Sequence, residues 1–161
     1  MREIVDYRVH PEFNDATNWV NNNEFDFMLL KLAEPIPQIR PVQLHTRQSR
    51  PLVDQEDLTV VGYGLMSESG KVAKVLQEAT VQYHEDCSFA SYRPEKVGQE
   101  TMFCAHGVHN ETHSIDSCQG DSGGPIMRST RQGWLQVGLV SWGEGKFDYA
   151  LFSSMLIIYC S

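Results

Sequence analysis

The sequence has no long hydrophobic run and comparatively few basic residues. Its longest apolar stretch, "MLIIYC" from Met155 to Cys160, is far shorter than a membrane-spanning helix requires. Lys and Arg number 13 against 21 Asp and Glu, which gives a net charge of −8. We therefore expect no membrane span, and neither nucleic acid nor an anionic membrane surface as the main partner.

The first ten residues, "MREIVDYRVH", lack the apolar core of a secretory signal. Four cysteines are compatible with two disulfides, in any of three pairings, and with an oxidising compartment. At 161 residues and 41% apolar content, the chain is long enough and apolar enough for one ordinary domain with its own core.

Helical heptads and internal repeats are also absent, and short strands separated by glycine take their place. Such a series predicts an all-β barrel or sandwich. The predicted strands are residues 3–9, 25–32, 58–64 and 75–84, followed by "TMFCA", "GGPIMR" and "WLQVGLVSWG". A short helix is predicted in "EDCSFASY", and residues 35–57, which hold four of the seven prolines, read as a connector between two units.

The stretch "DSCQGDSGGP" places Ser122 among small residues. A serine hydroxyl is a weak nucleophile that needs a base, a group that orients the base, and donors for the oxyanion. The backbone N–H groups of Gly120 and Ser122 can supply those donors, and Gly123 and Gly124 permit a tight turn. An incidental serine in a glycine-rich turn is the alternative explanation.

The full stretch resembles the nucleophile signature of the trypsin/chymotrypsin family of serine endopeptidases. Further segments match in family order: "DFMLLKL", "VVGYG", "LQEATV", "MFCA" and "GLVSWGEG". The resemblance implies a trypsin-like double β-barrel. Residues 58–145 then form most of the second barrel, and residues 1–34 keep about two strands of the first. Residues 146–161 form a divergent tail.

The same resemblance implies roles for individual residues. Ser122 corresponds to the nucleophile and Asp26 to the acid that orients the base. Gly120 and Ser122 correspond to the oxyanion donors, and Asp121 to the partner of the N-terminal ammonium formed on zymogen activation. Substrate-binding positions are Asp116, Ser117, Gln119, Ser141, Trp142 and Gly143. An aspartate at position 116 implies polypeptide substrates cleaved after Arg or Lys, because a buried carboxylate prefers a cationic partner.

No histidine has the family context of the base. His10 alone lies upstream of Asp26, in "VHPEF", and the other five are His45, His84, His106, His109 and His113. We therefore expect this chain alone to be an inactive or nearly inactive fragment, since loss of the base costs orders of magnitude in rate. A noncatalytic homologue that acts as a binding module is the alternative.

Family positions imply a Cys87–Cys104 disulfide and a secreted parent protein. The unmatched tail is either translated sequence from beyond a true exon boundary or a replacement strand, "SSMLIIYC", that lets Cys160 pair with Cys118. No cofactor and no metal are expected, although Cys104, His106, His109 and His113 suggest zinc as a minor alternative. Asn110 begins an N-glycosylation sequon. The sequence does not indicate an oligomeric state.

Overall fold

The computed structural model describes residues 2–13, 25–66, 70–87, 101–107, 109–110, 113–114, 117, 119–143 and 151–154. Within these ranges the secondary structure consists of strands, which confirms the all-β class. The strands are β1 Ile4–Val9, β2 Met28–Leu32, β3 Gln43–Leu44, β4 Asp57–Gly62, β5 Gln77–His84, β6 Met102–Gly107, β7 His109–Asn110, β8 His113–Ser114, β9 Pro125–Thr130, β10 Gly133–Gly143 and β11 Leu151–Ser154. In this part of the chain, no helix could cross a membrane.

Six antiparallel strands form a ring of backbone pairings, in the order β4, β5, β6, β11, β10, β9 and back to β4. The ring closes because β11 pairs with β6 on one side and with β10 on the other. Closure removes the exposed edges that an open sheet would present. The strand β3 is added outside the ring, parallel to β10.

The core of this barrel comes from the alternation of side chains along its strands. Leu58 and Val60 on β4 are buried against Val81 on β5 and Ile126 on β9, with Val137 from β10. The strand β6 is buried on both faces, from Met102 to Ala105. The core therefore lies within the unit that carries the glycine-rich serine stretch.

The strands β1 and β2 form a separate antiparallel ribbon, with Tyr7 opposite Leu30 and Val9 opposite Met28. Apolar side chains on both faces of this ribbon are exposed: Ile4, Val5, Tyr7, Val9, Met28, Leu29 and Leu30. The ribbon corresponds to the two strands that the sequence assigns to a first barrel. Its apolar side chains are as numerous as those of a core strand pair, yet they remain largely exposed.

The proline-rich connector is attached firmly to the barrel through Arg128 of β9. This buried guanidinium donates hydrogen bonds to the carbonyl oxygens of Arg50 (2.7 Å) and Pro51 (2.9 Å). It also pairs with the Glu56 carboxylate at 2.8 and 3.0 Å. Buried charges need such partners, so this network fixes the path of residues 50–56 across the barrel.

Two predicted strands have different bounds in the structure. The strand predicted from Phe25 begins only at Met28, because Phe25 has a positive φ of 57° and the Phe27 N–H donates to the Phe25 carbonyl in a tight turn. In the tail the structure has the strand β11, Leu151–Ser154, which shares only Ser153 and Ser154 with the predicted replacement strand "SSMLIIYC". Residues 155–161 and most of the predicted helix in "EDCSFASY" lie outside the described ranges.

Candidate functional site

Ser122 lies on a surface turn between the barrel strands. Gly120 and Gly123 have positive φ values of 97° and 77°, which only glycine adopts at little cost. The Gly123 N–H donates to the Val140 carbonyl at 2.7 Å, and the Val140 N–H donates to the Gly124 carbonyl at 2.9 Å. These bonds attach the turn to β10 and leave Ser122 exposed to solvent.

The Asp121 side chain points the other way, into the end of β4. Its Oδ1 accepts a hydrogen bond from the Gly64 N–H at 2.8 Å. A Cβ atom at Gly62 would lie 2.0 Å from Asp121 Oδ1, and one at Gly64 would lie 2.5 Å from Oδ2. The glycines of "VVGYG" are therefore needed for the carboxylate to approach the backbone.

A second backbone contact holds the same turn. The Leu65 N–H donates to the Gln119 carbonyl at 2.8 Å. In a trans peptide, the N–H of the next residue points opposite to that carbonyl. The Gly120 N–H is consequently directed away from Leu65.

Asp26 meets the barrel at the strand that holds the serine turn. The Ser141 hydroxyl donates a hydrogen bond to Asp26 Oδ2 across a separation of 115 residues. Ser141 directly follows Val140, which is bonded to the serine turn. Adjacent residues of β10 thus hold the Ser122 turn on one side and Asp26 on the other.

Two of the remaining predicted substrate-binding positions, Trp142 and Gly143, directly follow Ser141 along the chain. Trp142 and Gly143 are the last two residues of β10. Trp142 and Ser117 are half-buried, and Gln119 is exposed. Asp116 and Cys118 lie outside the described ranges.

Comparison with known proteins identifies the family. The model of the trypsin family matches residues 2–150. The chain belongs to the trypsin family. It is 34% identical over 152 residues to serine proteinase stubble of Drosophila melanogaster and 33% identical over 147 residues to a trypsin of Saccharopolyspora erythraea. Each match covers 89% of this chain, which spans 18% of the first relative and 57% of the second.

In this trypsin-family chain, His10 packs beside the segment that carries Asp26. Its ring stacks on Phe25 at a centroid distance of 4.4 Å and contacts Phe27 at 4.9 Å. The Glu12 N–H donates a hydrogen bond to His10 Nδ1 at 3.2 Å. His10 is thus placed against the aromatic residues that flank Asp26.

Two other histidines form a pair on neighbouring barrel strands. His84 and His106 stack with ring centroids 4.2 Å apart. Burial lowers the pKa of His84, the neighbouring His106 lowers it further, and Asp54 partly opposes both effects. His84 therefore stays neutral to a lower pH than an exposed histidine does.

The Cys87–Cys104 disulfide implied by the family positions is present. It removes Cys104 from the minor zinc alternative, because a disulfide sulfur is not a thiolate ligand. Across the described ranges, no group of three or more His, Cys, Asp or Glu side chains could hold a metal ion. The hairpin β7–β8 carries His109 and Asn110.

Proposed function

We propose that this chain is part of a serine-type endopeptidase that cleaves polypeptides after Arg or Lys, with Ser122 as the nucleophile and Asp26 as the acid that orients a histidine base. The main support is a pair of neighbouring residues on β10. Val140 forms backbone hydrogen bonds with the Ser122 turn, and the Ser141 hydroxyl donates a hydrogen bond to Asp26. A nucleophile and its orienting carboxylate must be fixed relative to one another, and one strand performs both attachments. Membership of the trypsin family supports the same roles.

The turn also supports the proposed oxyanion site. A tetrahedral oxyanion is stabilised by N–H donors that are oriented before the reaction begins. The Gln119 carbonyl accepts a hydrogen bond from the Leu65 N–H, so the Gly120 N–H is directed away from Leu65. We assign the donors to Gly120 and Ser122.

Asp121 serves, in this proposal, as the partner of an N-terminal ammonium created on activation. Its carboxylate already accepts a bond from Gly64 beneath the turn. A charge-assisted bond to an ammonium at this place would fix the turn further.

Selectivity for Arg and Lys rests on Asp116. A carboxylate in a substrate pocket favours a cationic side chain over a neutral one, since a neutral partner leaves the charge unpaired. Ser117, Gln119, Ser141, Trp142 and Gly143 are proposed to surround that side chain and the adjoining substrate backbone. The disulfide supports a secreted protein, because such bonds persist in oxidising compartments.

Chemical rescue tests these roles directly. Because no histidine of this chain has the context of a base, we expect slow labelling by a fluorophosphonate and almost no hydrolysis of an Arg-amide substrate. Added imidazole should accelerate labelling about tenfold or more by accepting the serine proton. The Ser122→Ala variant should abolish labelling, whereas Ser129→Ala, a serine on the same unit, should not. Equal labelling of Ser122→Ala would overturn the nucleophile assignment.

Selectivity is tested with two phosphonate probes that differ in one side chain. A probe with an Arg-like side chain should label faster than one with norleucine, and Asp116→Asn should remove most of the difference. Full turnover without imidazole would contradict the proposed inactivity of the isolated chain.

A noncatalytic binding module is the second candidate, favoured by the exposed apolar ribbon β1–β2. Large exposed apolar patches mark interaction surfaces. Failure of imidazole to promote labelling in a folded chain would favour this candidate.

A further inference from the structure

His10 contacts both of the aromatic residues that flank Asp26. Its ring is nearly parallel to the Phe25 ring, with 4° between the planes and 4.4 Å between the centroids. It also contacts the Phe27 ring at a centroid distance of 4.9 Å, with the planes tilted by 51°. Stacked and tilted contacts of this kind stabilise pairs of aromatic rings. A single side chain therefore holds both neighbours of Asp26.

The backbone around Asp26 needs such support. Phe25 has a positive φ of 57°, a conformation that a bulky residue adopts only at a cost. The Phe27 N–H donates to the Phe25 carbonyl at 2.7 Å, which closes a three-residue turn with Asp26 at its centre. Strained backbone persists where surrounding contacts stabilise it. The His10 ring supplies such contacts, and the His10 N–H adds a bond to the Phe27 carbonyl at 3.3 Å.

This turn determines where the Asp26 carboxylate lies. The carboxylate accepts a hydrogen bond from the Ser141 hydroxyl on β10, and it moves with the backbone of residues 25–27. We propose that His10 is a positioning residue, whose ring holds this turn so that Asp26 stays bonded to Ser141 and able to orient a histidine base. The consequence for catalysis rests on the function proposed above for Asp26, whereas the placement of the carboxylate does not.

Two replacements separate the ring of His10 from its hydrogen bond. The Glu12 N–H donates to His10 Nδ1 at 3.2 Å. An asparagine side chain can accept the same bond from the residue two positions later, but it has no ring. Phenylalanine keeps a ring and loses the acceptor. The proposal therefore predicts that His10→Phe preserves the position of Asp26 and that His10→Asn does not.

Carboxyl footprinting of the full chain with a carbodiimide and an amine, measured by mass spectrometry, tests this placement without catalysis. Asp26 should react about fivefold faster in His10→Asn than in the parent, because the turn opens, and at the parent rate in His10→Phe. Asp6, a half-buried carboxylate on β1, should be unchanged in both variants. His45→Asn replaces another half-buried histidine and should leave Asp26 unchanged. An unchanged Asp26 in His10→Asn, or an equal rise at Asp6, would overturn the proposal.

Labelling of Ser122 by the fluorophosphonate tests the consequence for catalysis. His10→Asn should lower the ratio of the rates with and without imidazole about fivefold, since displacement of a positioned group is costly. A general loss of structure would lower both rates together. Asp26→Asn should lower the same ratio, and His10→Asn should add nothing in that background.

A ratio that falls in Asp26→Asn but not in His10→Asn would contradict the positioning role. A ratio that stays unchanged in Asp26→Asn would show instead that the function proposed for Asp26 is wrong. The footprint of Asp26 would then still decide whether His10 places the carboxylate.

Discussion

At the scale of single residues, the approach of Asp121 to the backbone explains the glycines of "VVGYG". The carboxylate occupies the space that a side chain at Gly62 or Gly64 would need. The order of small residues around position 62 is thus imposed by an acid 59 positions later in the chain. The need for glycine at positions 62 and 64 comes from the Asp121 carboxylate, so the three-dimensional structure is required to recognise it.

Replacing Gly62 with alanine should therefore displace Asp121. The new Cβ atom would lie 2.0 Å from Oδ1, which forces a shift and should lower the free energy of unfolding by about 1–3 kcal/mol. A double-mutant cycle with Asp121→Ala, measured by urea unfolding, provides the control. The cost of Gly62→Ala should shrink in the Asp121→Ala background, and additive costs would contradict the assigned clash.

Glu56 makes stability depend on pH. Its burial alone would raise its pKa, but hydrogen bonds from the Val53 N–H, Arg128 and Arg50 outweigh that effect and hold the pKa below the ordinary value of 4.5. The unfolded chain then binds a proton more readily than the folded chain. The stabilisation is full above about pH 4.5 and is lost as the pH falls through the lowered pKa.

Glu56→Gln should accordingly cost about 1.5–3 kcal/mol of unfolding free energy at pH 7 and clearly less at pH 3. Urea unfolding at both pH values measures the difference. Glu78→Gln, which removes an exposed carboxylate on β5, is the matched control and should change stability little at either pH. A cost that stays constant with pH would exclude this role for the ionised carboxylate.

At the scale of elements, the barrel strands were the most predictable part of the sequence. The predicted strands at residues 58–64 and 75–84 correspond to β4 and β5 with shifts of one or two residues. For residues 75–84 this information came from the alternation of apolar and polar side chains, and for residues 58–64 it came from a short apolar run that ends in a glycine-rich turn. Arg128 lies two residues after the buried Ile126, on the same face of β9. An arginine can be buried there because Glu56 and the carbonyl groups of Arg50 and Pro51 pair with it, and the local sequence does not reveal these partners.

The β3–β10 strand pairing and the Asp26–Ser141 hydrogen bond could not be predicted either, because both depend on residues distant in the sequence. The strand β3 has two residues and owes its existence to the parallel pairing with Leu135 and Gln136 of β10. The contact between Asp26 and Ser141 likewise joins residues 115 positions apart. Family resemblance indicated both residues, whereas sequence spacing could not supply their direct hydrogen bond.

The Cys87–Cys104 disulfide should stabilise the junction of β5 and β6. It closes a loop of 17 residues, for which the chain-entropy treatment gives about 3 kcal/mol. Cys87→Ala/Cys104→Ala should lower the free energy of unfolding by about that amount. Selective reduction of the parent chain should have the same effect, and a change below about 1 kcal/mol in both would contradict this contribution.

At the scale of the whole molecule, a closed barrel is combined with an uncovered ribbon. The barrel satisfies its strand edges by closure through β11. The ribbon exposes apolar side chains on both faces, including Tyr7 at 61% and Leu30 at 49%. The two units therefore differ sharply in how completely their apolar residues are buried.

We expect the ribbon to drive self-association. Tyr7→Lys/Leu30→Glu places opposite charges on a directly paired position, which preserves the pairing while making the surface polar. Sedimentation velocity across a concentration series should show a larger monomer fraction for this variant. Ile39→Lys, at an equally exposed connector residue (66%), should behave like the parent chain. An equal response of both variants would point to general solubility instead.

The hydrogen bond between Asp26 and Ser141 joins the ribbon's chain segment to the barrel at the site itself. Ordering of the segment and engagement of the site are then linked, and such linkage is reciprocal. A ligand that binds both Asp26 and the Ser122 turn would stabilise the ribbon. Conversely, a partner that binds the ribbon would change the affinity of the candidate site for that ligand without contacting Asp26 or Ser122.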